Sequence, residues 1–182
     1  MPEKALKRKL ILMIIAFRDF RDEEYFIPKE ILERAGAEIK TASNKFGKAI
    51  GVEGGETEID FLISNVNPVD FDALIFVGGS GCLSNLDNET SYSISRETIL
   101  QDKVLASICI SPVILAKAGV LKGKRATVWT SPMDKSAIKT LEENGAIYQN
   151  EPVVIDGKII TGEGPAAASQ FGEKIIKALT QE

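Results

Sequence analysis

VLASICISP, Val104 to Pro112, decides how the rest of the chain is read. A short apolar run ends at Cys109, and Pro112 follows three residues later. The pattern predicts a buried strand, a sharp turn carrying Cys109, and a helix starting at or near Pro112. Proline is favoured in a helix's first turn because its missing N–H would have no intrahelical partner there. Val113 to Ala118 continues as an amphipathic segment, and Gly119 closes it. Such a turn lifts the cysteine out of the sheet and sets it over the positive end of the helix. The expected consequence is a stabilised thiolate, with a pKa lowered from about 8.5 to roughly 3.5–7.5. A free cysteine is most often an inert core residue, but strand-to-helix turns are where reactive thiols occur.

Working outward, strand-like apolar runs alternate with segments of helical period. Leu10 to Ala16 reads as a fully buried first strand, Glu23 to Ala35 as a helix closed by Gly36, and Ala37 to Ala42 as a second strand. Ser43 to Gly55 reads as a polar, glycine-rich loop, and Thr57 to Ile63 as a short strand or hairpin arm. Ala73 to Val77 is a strand running into Gly78-Gly79-Ser80-Gly81, and Ser91 to Asp102 is helical. Ala126 to Trp129 reads as a strand and Ser136 to Glu143 as a helix. Asp156-Gly157 predicts a hairpin between Val153–Ile155 and Ile159–Thr161, because this dipeptide suits a tight primed turn. Ala166 to Leu179 is the last helix. The alternation implies an α/β fold with a mainly parallel sheet covered on both faces. The crevice of such a sheet lies at the carboxyl ends of its strands, where Cys109, Gly78–Gly81 and the segment after Ala16 would meet.

Composition narrows the function classes. With 182 residues, 44% apolar and 26% charged, the chain is expected to be one globular domain spanning 1–182. A net charge of -4 speaks against nucleic acid and against an anionic membrane surface. Lys4, Lys7, Arg8 and Lys9 precede the apolar run Leu10 to Phe17, but eight apolar residues are too few to span a bilayer and charged RDFRDEE follows. Two distant cysteines are no disulfide framework, so a cytoplasmic setting is expected. The chain contains no histidine. This removes Ser-His-Asp and Cys-His hydrolysis and histidine-ligated metals. An acidic cation site around Asp19, Asp22 and Glu23 lacks the spacing of a known loop. No metal and no cofactor is expected.

Glycines at the end of a strand, here Gly78 and Gly79, permit a tight turn and expose N–H groups as an oxyanion pocket, although an ordinary turn reads the same way. Cys82 in that loop reads as a bystander or a resolving thiol. Glu23 and Glu24 read as an acidic first helical turn. Spacing alone does not pair Glu24 with Cys109.

Four segments in order carry a resemblance: LILMIIAFRDFRDEEYFIP, FDALIFVGGSGCLSNL, VLASICISPVILAKAGVLKGK and IITGEGPAAASQFGEKIIKAL. Together they resemble the ThiJ/PfpI family of the class I glutamine amidotransferase-like superfamily. The resemblance implies a flavodoxin-like three-layer sandwich, a nucleophile-elbow cysteine at Cys109, a glutamate partner at Glu24, oxyanion donors at Gly79 and Ile110, and a homodimer. It also puts Gly78 and Trp129 in the pocket. Ile110 and Trp129 stand where some members have histidine, Arg21 where some have an acid, and Glu163 where some have arginine. These departures argue against peptidase chemistry. The first functional expectation is a redox-responsive, stress-related cysteine protein whose ligand is an oxidant. The second is a Cys-Glu enzyme acting on a small electrophile (glyoxalase-, deglycase- or isonitrile-hydratase-like), and the third a structural or chaperone-like dimer.

Overall fold

A computed structural model describes residues 4–181. Residues 1–3 and 182, which the expected 1–182 domain includes, lie outside the described residues. The chain runs β1 (Leu10–Ile14), β2 (Arg18–Phe20), α1 (Asp22–Arg34), β3 (Glu38–Ser43), β4 (Lys48–Gly51), β5 (Glu56–Glu58) and β6 (Phe61–Leu62). Next come β7 (Ala73–Phe76), α2 (Cys82–Leu86), α3 (Glu89–Leu100), β8 (Val104–Ile108) and α4 (Pro112–Lys117). The remainder is β9 (Arg125–Ala126), α5 (Ser136–Glu143), β10 (Ile147–Tyr148), β11 (Val153–Asp156), β12 (Ile159–Gly162) and α6 (Ala168–Thr180).

The main sheet has seven strands in the order β11-β12-β8-β7-β1-β3-β6. All its pairings are parallel except β11 with β12, the Asp156-Gly157 hairpin. Side chains alternate across a strand, so β1 feeds two cores at once. Leu12 and Ile14 join Leu74, Phe76 and Leu105 under α3, α4 and α5. Ile11 and Met13 join Ile75, Ala106 and Ile108 under α1 and α6. Burial on both faces explains why the central strands are apolar at nearly every position, Ser107 of β8 being the exception. The result is the α/β layering expected from the alternation, in the flavodoxin-like form that the resemblance implies.

The structure departs from expectation in several places; Thr57 to Ile63, for one, is split between two sheets, with β5 pairing to β4 and β6 to β3. The stretch from Ser43 to Gly55 is not all loop, because β4 pairs antiparallel with β5 and parallel with β2 in a separate three-stranded sheet. Only Ala49 and Gly51 of β4 are buried, so this strand has little apolar patterning to announce it. The expected strand Ala126 to Trp129 contributes only Ala126, which pairs in β9 with β10. Beyond it the backbone is held by single bonds instead of a ladder: Thr127 N–H donates to Thr161 Oγ1 at 2.9 Å and Trp129 N–H to the Cys109 carbonyl at 2.8 Å. No helix among the described residues is long and apolar enough to cross a membrane.

Candidate functional site

β1, β7 and β8 end side by side, and the chain leaves each differently. After β8, Cys109 takes the left-handed conformation with φ +65°. A non-glycine residue there is uncommon and costs of order 1–3 kcal/mol, so its surroundings must hold it. Its N–H donates to the Gly162 carbonyl at 2.9 Å, and its own carbonyl accepts from Trp129. The turn is therefore fastened to β12 on one side and to the 126–129 segment on the other.

After β7, Gly78 and Gly79 pass under this turn. The Gly78 N–H donates to Glu24 Oε2 at 2.9 Å, and its carbonyl accepts from Arg21 N–H at 3.0 Å. A Cβ on Gly78 would stand 2.7 Å from both Glu24 Oε2 and Cys109 Cβ, so only a hydrogen fits between the acid and the cysteine. Gly79 has φ +117°, and a Cβ there would meet Arg21 N and Asp19 O at 2.5 Å. Glycine is required at both positions by close backbone approach.

Glu24 comes from the first turn of α1 and is fully buried. Two residues before it, Asp22 accepts from Glu53 N–H at 2.8 Å and Gly55 N–H at 2.7 Å, which docks the β4–β5 turn against the helix start. Glu23 pairs instead with Arg21 at 2.9 Å. Asp22 and Glu23 thus have partners of their own, and no cluster of metal-ligating side chains occurs among the described residues.

Burial pushes the Glu24 carboxyl up to about 7, against the lowering pull of its contacts with Cys109, Gly78 and Arg21. The Cys109 thiol is also pushed up, first by burial, then by the Glu24 charge and the hydrogen bond to it, while the Ile110 N–H pulls the other way. This corrects the expected lowering of the thiol. The helix α4 has only six residues, and its end effect is outweighed by desolvation and a neighbouring acid. The two side chains act on each other as a loose pair: each feels the other, yet Glu24 Oε1 has no well-formed hydrogen bond among the described residues. The protons belong to the pair rather than to either residue. The first leaves near pH 7, and above that the pair holds one negative charge.

Glu24, Gly79, Cys109, Ile110 and Trp129 line one cavity of about 520 Å³. Gly78 is not part of its wall; its N–H is taken by Glu24 and is no oxyanion donor. Sequence reasoning missed Val52, Leu83 and Pro165, which make much of the apolar wall. Only the Gly164-Pro165 turn had signalled itself. Arg21 lines the mouth beside Glu23 and Glu53. Cys82 is fully buried and its thiol is pushed up by burial.

This left-handed cysteine above a parallel sheet, with an acid from the first helix beside it, defines a cysteine-centred α/β site. The chain belongs to the DJ-1/PfpI family, whose family model matches residues 9–178. It is 41% identical to an uncharacterized protein of Methanocaldococcus jannaschii over 96% of this chain and 84% of that protein. It is 30% identical to a protein named as a deglycase in Pyrococcus horikoshii, over 92% of this chain and 98% of the relative. Among solved structures, a ThiJ/PfpI domain protein of Brachyspira murdochii superposes with a TM-score of 0.90 at 33% identity, covering 97% of this chain and 99% of the other. Drosophila melanogaster DJ-1beta gives 0.82 at 28% identity, covering 96% and 91%.

Proposed function

We propose that this protein is a cysteine-dependent enzyme acting on small electrophilic carbonyl compounds, of the glyoxalase or deglycase type. The observation that carries the reading is the fully buried Glu24 carboxyl, with Oε1 unpartnered among the described residues, beside Cys109 in one cavity. An acid near pH 7 is suited to take and return protons at neutral pH. It also answers the absence of histidine, since one proton carrier suffices for addition to an aldehyde. The deglycase name of relatives at 30% identity points the same way.

For a 2-oxoaldehyde the steps balance without an external oxidant. Cys109 Sγ adds to the aldehyde carbon as its proton passes to Glu24, and the N–H groups of Gly79 and Ile110 face the oxygen that gains charge. Glu24 protonates that oxygen, removes the hydrogen from the aldehyde carbon and returns a proton to the neighbouring carbon, while the hydroxyl proton on the first oxygen passes to the former ketone oxygen. The aldehyde carbon is thereby oxidised to a thioester and the ketone carbon reduced to an alcohol. Water then cleaves the thioester, releasing a 2-hydroxy acid and the thiol.

The redox-responsive reading stands second. Its support is a pair of donors beside the sulfur, the Ile110 N–H and a protonated Glu24, which would hold an oxidised sulfur. It ranks lower because the thiolate is the oxidisable form, and burial beside Glu24 holds Cys109 as a thiol. The homodimer belongs to the same proposal and is read by light scattering. Conversion of methylglyoxal to lactate tests the main reading. Cys109→Ala is expected to abolish turnover and Glu24→Gln to lower it roughly 100-fold or more; full activity in Cys109→Ala overturns the reading.

A further inference from the structure

Two residues beyond Cys109, Ser111 is fully buried and bears a hydroxyl that the reaction scheme does not use. Its Oγ lies 2.7 Å from Ser107 Oγ, accepts from Ile108 N–H at 3.0 Å, and stands 2.9 Å from the Phe76 carbonyl and 2.8 Å from the Ile108 carbonyl. A serine hydroxyl offers one donor and two acceptor sites. With Ile108 N–H donating to it and its own proton directed to a carbonyl, the remaining lone pair takes the Ser107 hydroxyl as donor. Every capacity of the group is used, by the turn that carries Cys109 and by the neighbouring strand. With its proton on the Phe76 carbonyl, the hydroxyl joins the end of β8 to the end of β7, the strand that leads into Gly78.

We infer that Ser111 is a positioning residue: its hydroxyl holds the strained Cys109 turn in register with the Gly78 turn, so that the sulfur faces Glu24. The geometry supports this from both sides. Cys109 sits at φ +65°, a conformation that persists only where the surroundings over-determine it. The Gly78 N–H on the neighbouring strand fixes Glu24. A bond between the ends of the two strands therefore fixes the thiol relative to its acid. Neither the cavity wall nor the reacting atoms include Ser111, so it acts only through Cys109.

The inference rests on the proposed Cys-Glu pairing, and the test separates the two. The pH dependence of Cys109 alkylation by iodoacetamide is measured in the whole protein, alongside methylglyoxal turnover. The wild type is expected to inflect above the ordinary thiol range, because burial and the Glu24 charge keep Cys109 a thiol after Glu24 has ionised. Ser111→Ala is expected to move the inflection toward the ordinary thiol range of about 8.5. It is also expected to lower kcat roughly tenfold or more with KM within about twofold, as misplacement of a reacting group does. If Ser111→Ala fails to fold, Ser107→Ala carries the test. It removes only the donor into Ser111 and is expected to shift the inflection part of the way. A wild-type inflection at or below the ordinary thiol range defeats the pairing itself. A wild-type inflection retained unchanged in the folded serine variant overturns the role of Ser111.

Discussion

The backbone N–H of Gly78 donates to Glu24 Oε2 at 2.9 Å, a contact between residues 54 apart in sequence. It places the acid of the first helix against the strand next to the one that carries Cys109. The same glycine keeps the wall between acid and thiol as thin as a hydrogen atom, and the properties of the site follow from that closeness.

Glu24 should make stability depend on pH in an unusual direction. Its folded pKa of about 7 lies above the ordinary value of 4.5. Its contribution is therefore fully present below pH 4.5 and is lost as pH rises through 7, because the buried group must ionise. The shift corresponds to about 3 kcal/mol. In urea unfolding, Glu24→Gln should gain about that much on the wild type between pH 4.5 and pH 8, all other carboxylates cancelling in the difference. A difference that stays flat with pH would show that Glu24 is not desolvated.

Gly79→Ala should cost about 2 kcal/mol or more, since a methyl would collide with Arg21 N and Asp19 O while φ is +117°. Gly157→Ala, with φ +61° and open space around it, should cost only about 1 kcal/mol. Denaturation midpoints of the two variants measure the contrast, and equal losses would contradict the close approach at Gly79.

Asp22→Ala should free the β4–β5 turn by removing the acceptor of the Glu53 and Gly55 N–H groups. The cost is about 2–4 kcal/mol for two bonds to a charged acceptor. Val52, on that turn, lines the cavity, so KM should rise more than kcat falls. Hydrogen exchange at Glu53 and Gly55 reports the release directly; unchanged protection there would rule it out.

Thiol titration with an aromatic disulfide should count one reactive sulfur per native chain and two after denaturation. Cys82 is buried among apolar side chains, whereas Cys109 is only partly covered and faces the cavity. Replacing Cys82 by alanine should leave the native count at one.

Much of this arrangement was legible in the chain itself. The apolar run before Cys109 with Pro112 after it marks the turn, and Asp156-Gly157 marks the one antiparallel pair of the main sheet. Both are local signals. What stayed hidden depends on distant partners. Arg18–Phe20 and Lys48–Gly51 pair through tertiary contacts that no period-two pattern announces. The segment to Trp129 has strand-like residues but meets the Cys109 carbonyl instead of a ladder. The direction of the thiol shift reversed for the same reason: a helix end is visible in sequence, whereas the degree of burial and the nearness of Glu24 are not. Ser111 reads as an ordinary residue before proline until its four polar neighbours are seen.

Parallel pairing imposes a schedule on the sulfur. β1, β7 and β8 must all be in place before the acid and the thiol meet, and the Gly162 and Trp129 bonds that fasten the cysteine come from still later in the chain. During synthesis the thiol therefore emerges as an unremarkable one, and its distinctive chemistry switches on only at closure of the fold. Return of the slowed alkylation of Cys109 during refolding would time that last event.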